Sequence, residues 1–103
     1  MITKKRAKKL SLEVWGYLKD HPEIKSKHYL PNKLISKIKN MESWCPLCQY
    51  HEEQDLPCKD FCPLYLLGNC YYYYEWGDAT TNKSRQKWAT KIYDAINDWD
   101  VTE

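Results

Sequence analysis

The segment that decides the reading runs Cys45-Pro46-Leu47-Cys48, then Cys58-Lys59-Asp60-Phe61-Cys62, then Cys70. It holds all 5 cysteines of the 103-residue chain. Two thiolates three positions apart can grip one tetrahedral ion from a tight turn, and four complete a structural zinc shell with no place left for water. The expected ligands are Cys45, Cys48, Cys62 and Cys70, with Cys58 as the alternative to Cys62 for the third place. His51, three residues after Cys48, is a nitrogen donor that could replace a thiolate. Soft sulfur ligands favour Zn2+. An iron–sulfur cluster also takes four thiolates and is the alternative, although the spacing matches neither common ferredoxin run.

The odd cysteine count argues against a disulfide framework. The basic Met1–Lys9 stretch leads into Leu10–Leu18, where Glu13 and Trp15 break any leader-like apolar run. Together these set the expectation of a cytoplasmic protein. No stretch approaches the roughly 20 apolar residues of a membrane span.

Working outward, the composition asks for such a staple. There are 5 Trp and 9 Tyr but a single Phe. Trp and Tyr bury area while their polar tips seek a partner, so a core built from them is thin and benefits from a cross-link. The length allows one domain. Within it, residues 1–9 read as a basic, frayed arm and 10–44 as a basic helical part. Residues 45–80 read as a cysteine- and tyrosine-rich metal-binding part, and 81–103 as a C-terminal helix.

The periodicity predicts about three helices, making the class mainly α. Leu10, Val14 and Leu18 fall at i, i+4 and i+8 with Trp15 beside them, and His21-Pro22 stops that helix at Asp20. Pro31 opens a second helix whose apolar face is Leu34, Ile35, Ile38 and Met41 and which runs into Trp44-Cys45. A third covers Lys83–Trp99 behind Thr81 or Asn82 as N-cap, with Trp88, Ile92, Ile96 and Trp99 in register. Between Cys45 and Asp78 the turn signals predict a metal-stapled loop region, with one short strand or hairpin at the tyrosine run. As a strand, Tyr71 and Tyr73 face one way and Tyr72 and Tyr74 the other.

Charge is divided along the chain. The formal net charge is +2, yet residues 1–44 carry 11 Lys/Arg against 4 Asp/Glu, and residues 45–103 carry 5 against 10. An anionic partner for the first half would explain the division, as would an acidic protein surface. The closing helix is oddly charged. Lys83, Arg85 and Lys87 stand at its start and Asp94, Asp98 and Asp100 at its end, the reverse of what the helix macrodipole prefers.

Catalytic patterns are missing. With 3 glycines in all there is no phosphate-cradling loop and no nucleophile elbow. His21-Pro22-Glu23 followed by Cys45-Pro46-Leu47-Cys48 approaches the H-x-E…P-C-x-x-C pattern of zinc deaminases. Trp44, not proline, precedes Cys45, and no strand–helix repeats support that scaffold. No catalytic residues are assigned, and the chain is read as non-enzymatic.

The order Trp15…His21-Pro22-Glu23-Ile24-x-x-Lys27…Leu30-Pro31, Cys45-Pro46-Leu47-Cys48, Cys62-Pro63-Leu64, Cys70, Tyr73 or Tyr74, then Trp76 and a closing helix resembles small cysteine-rich proteins encoded by bacteriophages. That pattern has C-x2-C-P at the second knuckle, whereas three residues separate Cys58 from Cys62 here, which leaves the third ligand open between them. The resemblance implies a viral accessory protein acting in a bacterial host.

The expected function is therefore a metal-stabilised phage accessory protein, a non-enzymatic module that binds or inhibits a host or viral protein, with Tyr72, Tyr74 and Trp76 as its contact residues. The alternative is nucleic-acid binding through Lys4, Lys5, Arg6, Lys8, Lys9, Lys33 and Lys37, whose phosphate contacts would make affinity fall steeply with salt. A zinc-dependent enzyme ranks third.

Overall fold

The computed structural model describes residues 2–41, 44–54 and 71–101. Among these the protein is mainly α, with five α-helices rather than three: α1 Lys4–Asp20, α2 Asn32–Ile38, α3 Pro46–Gln54, α4 Tyr71–Asp78 and α5 Asn82–Asn97. A 3-10 turn, Lys27–Tyr29, links α1 to α2. No strand occurs among the described residues.

The basic arm is helix from Lys4 onward, not frayed. Thr3 Oγ1 accepts the amide of Arg6 at 3.1 Å and Thr3 O accepts that of Ala7, so two N-terminal donors are satisfied. Ala7 is fully buried and anchors this first stretch to the core. Two lysines find work at the far end of the chain: Lys8 Nζ donates to Trp99 O at 2.7 Å, and Lys4 Nζ lies 5.3 Å from the Trp99 ring centre. The apolar stripe Leu10, Val14, Trp15 and Leu18 is buried as its spacing requires. His21 ends the helix as C-cap, with Nδ1 2.9 Å from Tyr17 O and its ring stacked on Tyr17.

Helix α5 runs antiparallel to α1 and forms with it the centre of the molecule. Gln86 Nε2 donates to Lys19 O at one end, and Lys8 meets Trp99 at the other. Between them Gly16 sits against Tyr93, whose Cε2 would lie 3.3 Å from a Cβ at that position. A side chain there would need the Tyr93 ring to shift by a few tenths of an ångström, so the glycine leaves room for that ring. Thr81 is the N-cap, its Oγ1 accepting the Ser84 amide. Ala89, Ile92, Ala95 and Ile96 are buried between the helices.

The charge order of α5 now has an explanation. Arg85 is only 4% exposed and donates to three acceptors: Pro22 O at 2.7 Å, Ala79 O at 2.8 Å and Asn82 Oδ1 at 2.8 Å. It clamps the loop after α1 to the α4–α5 corner, which the fixed fork of a guanidinium does better than any other side chain. At the other end the antiparallel packing sets the lysine-rich start of α1 beside the aspartate-rich end of α5. There Lys8 donates to the Trp99 carbonyl just past α5, which places a cation at the helix C-terminus as the macrodipole favours.

The remaining helices correct three expectations. α2 ends at Ile38, and the chain then turns through Met41 N→Ile38 O and Trp44 N→Met41 O before Cys45. The stretch after Cys45 is helical at once, because proline suits the first helical position. The tyrosine run is helix α4, not strand. Tyr73 and Trp76 both pack edge-on against Trp15, and Tyr72 tilts onto Trp88, so the run buries residues at helical spacing and turns Tyr74 outward. Tertiary packing overrides the aromatic preference for strands.

Candidate functional site

Cys45 and Cys48 occupy the start of α3. Cys45 O accepts the Gln49 amide as the helix begins, and Cys45 Sγ accepts the Cys48 amide at 3.4 Å. Sulfur thus takes the place of the usual capping oxygen. Its thiol is held well below its ordinary value, first by the hydrogen bond with the Cys48 side chain, against the opposing pull of burial. The nearby Lys27 ammonium and the amides of Cys48 and Leu47 add to the lowering.

Lys27 is the residue sequence reasoning missed. It is 7% exposed although it lies in a connector. Its Nζ donates to Trp44 O at 3.2 Å and sits over the rings of Tyr73, at 4.9 Å, and Trp15, at 5.7 Å. Burial lowers its pKa, and Cys45 and Cys48 oppose that lowering, so lysine and thiol pair favour each other's charged forms. Trp44 has a φ of 52°, in the left-handed region that a bulky residue occupies only at a cost of order 1–3 kcal/mol. The Lys27 bond to its carbonyl helps to hold it there.

Around this corner lies a cavity of about 290 Å³ lined by Lys25, Ser26, Lys27 and His28 on the connector side and by Trp44, Tyr73 and Trp76. His28 tilts against Trp44 with ring centres 4.7 Å apart, and its Nδ1 is 2.8 Å from Ser26 Oγ. Trp76 is 4% exposed, and its Nε1 is buried without a hydrogen-bond partner among the described residues. The two most exposed large apolar side chains, Tyr29 at 73% and Tyr74 at 63%, directly follow the lining residues His28 and Tyr73 in the chain.

The expected metal ligands divide between described and undescribed residues. Cys45 and Cys48 share one turn and suit a soft ion. Cys58, Cys62 and Cys70 lie outside the described residues. No group of three or more potential ligands gathers among the described residues. His51 is buried, with Nδ1 2.6 Å from Leu47 O and its ring stacked on Trp99, so a packing role accounts for it.

Of the contact residues expected at the tyrosine run, Tyr74 is exposed, Tyr72 packs on Trp88 and Trp76 is in the core, where it lines the cavity. The basic residues proposed for nucleic acid are dispersed and partly engaged. Lys4 and Lys8 bind Trp99, and Lys37 pairs with Glu13 at 3.3 Å. Lys5, Arg6, Lys9 and Lys33 are exposed. Lys5, Lys8 and Lys9 border a wide groove of about 430 Å³ floored by Leu12, Tyr93 and Val101, with Glu13 at its edge.

His21 caps α1 and Glu23 is exposed. No described helix is long and apolar enough to cross a membrane. No protein-family model, curated protein or solved structure matches this chain.

Proposed function

We propose that this chain is a non-enzymatic binding module, stapled by a structural zinc ion, that engages a protein partner. The observation that carries the binding part is the aromatic corner. Tyr29 and Tyr74 stand exposed beside a cavity walled by Trp44 and Tyr73, and exposed aromatic residues around a well-packed pocket are the usual make-up of an interface hot spot. The staple rests on the capped thiol pair. Cys45 and Cys48 would supply two ligands, and two of Cys58, Cys62 and Cys70 the others. The ion would fix the cysteine-rich segment against α3 and lower the conformational freedom of a chain with a thin core. The resemblance of its cysteine pattern to phage-encoded proteins supports a partner in a bacterial host.

The staple is tested by elemental analysis and an absorbance spectrum of purified protein. Equimolar zinc and no visible colour are expected; stoichiometric iron with a coloured spectrum, or no metal, defeats it. Cys48→Ser should then lose the metal and much of the thermal transition, since in small metal domains binding energy is folding energy. The binding part is tested by capture from host lysate, comparing the native chain with Tyr29→Ser/Tyr74→Ser. A partner held by the native chain and lost by the double variant supports the reading. Equal recovery by both removes the corner as the binding face.

A further inference from the structure

We infer that the corner cavity receives an acidic side chain of the protein partner, its carboxylate meeting Lys25 and His28 and its stem lying against Trp44 and Tyr73. The inference rests on the binding-module reading and names the chemistry of what that module recognises. Charge complementarity is the first argument. Among the described residues the lining contains Lys25, Lys27 and His28 and no carboxylate. Lys25 is exposed and has no ion pair among the described residues.

The donors are also arranged for an acceptor. Ser26 Oγ accepts the His28 amide and lies 2.8 Å from His28 Nδ1. When the hydroxyl proton points to Nδ1, the neutral imidazole carries its own proton on Nε2, leaving Nε2–H to donate. Lys27, held beneath by Trp44 O and two rings, fixes the wall against which the acceptor would lie.

Size points the same way. A volume of about 290 Å³ is at the small end for a ligand pocket and fits one side chain better than an enclosed cofactor. The exposed rings of Tyr29 and Tyr74 extend the contact area beyond the cavity, as a protein surface requires and a small ligand does not. The strained backbone of Trp44 is spent at this wall, and such strain clusters at ligand clamps. A nucleic-acid backbone would need a continuous cationic track, whereas α4, next to the cavity, carries Glu75 and Asp78.

The test is an amide and indole NMR titration of the full chain with acetyl-hexaglutamate amide, run beside hexalysine and hexathymidylate. Expected are shifts at the amides of Lys25–His28 and the Trp44 indole with the acidic peptide alone, weakening as salt rises. Lys25→Ala/His28→Ala, both exposed positions, should keep the fold and lower the affinity about tenfold, equivalent to roughly 1.4 kcal/mol. No shifts, equal shifts with hexalysine, stronger binding of hexathymidylate, or shifts centred on Lys5 and Lys9 would each overturn the inference. A captured partner whose binding survives Lys25→Ala/His28→Ala but not Tyr29→Ser/Tyr74→Ser sinks the cavity and leaves the binding module standing.

Discussion

The α1–α5 pair and the Lys27–Trp44 corner are built on opposite plans. The helix pair buries mainly alanine, valine, leucine and isoleucine and caps both of its helices with threonine, with Ser11 Oγ its one buried polar atom lacking a partner among the described residues. The corner buries an ammonium among rings, leaves the Trp76 indole N–H without an acceptor among the described residues and holds Trp44 in a left-handed conformation. An unmatched buried donor costs about 1–3 kcal/mol, and the Trp44 backbone adds a cost of similar size. One region supplies stability, and the other consumes some of it to keep polar groups and rings in an open arrangement. That division is what a protein with a rigid scaffold and a working surface is expected to show.

The contrast can be broken from the stable side. Ile92 is fully buried between α1 and α5, so Ile92→Ala should destabilise by about 2–5 kcal/mol in urea unfolding. A loss under about 1 kcal/mol would mean that the pair is not the scaffold. Arg85→Lys comes next. One ammonium cannot serve three acceptors with the geometry of the guanidinium fork, and a loss of about 1–3 kcal/mol is expected from unmet buried groups. Protection from hydrogen exchange should fall first at Ile24 and Ala79, whose amides close the turns beside the clamp. Unchanged protection there would show that the clamp is not what holds the corner.

The smallest effect is a pH dependence. Glu53 accepts from Gln49 Nε2 and from the Ile2 amide, and these bonds hold its carboxyl below the ordinary 4.5. A carboxylate with a depressed folded pKa contributes stability that is present above its unfolded value and lost as pH falls through the folded one. The thermal midpoint should therefore drop slightly more steeply below pH 4.5 in the native chain than in Glu53→Gln. Parallel curves would remove Glu53 from the ties between α1 and α3.

Much of the scaffold was legible beforehand. Leu10, Val14, Leu18, Ile92 and Ile96 announce themselves by 3.6-residue periodicity, which needs no knowledge of what they touch. Thr81 as N-cap and His21-Pro22 as a stop are equally local signals. The corner was not legible for the converse reason. Lys27 sits in a connector, and its burial is decided by Trp15, Trp44 and Tyr73, which are distant in sequence. The tyrosine run misled because aromatics favour strands in general, whereas Trp76 and Tyr73 found Trp15 at helical spacing. The basic arm looked frayed because its partner, Trp99, lies at the other end of the chain. Arg85 looked like a misplaced charge until its three acceptors were in view.

The positive φ of Trp44 carries a consequence for variation. Glycine adopts that backbone conformation without strain, so Trp44→Gly relieves the backbone while deleting a wall of the cavity. The indole also packs against the core, so the burial lost with it offsets the strain relieved, and the position is held by packing in spite of its backbone.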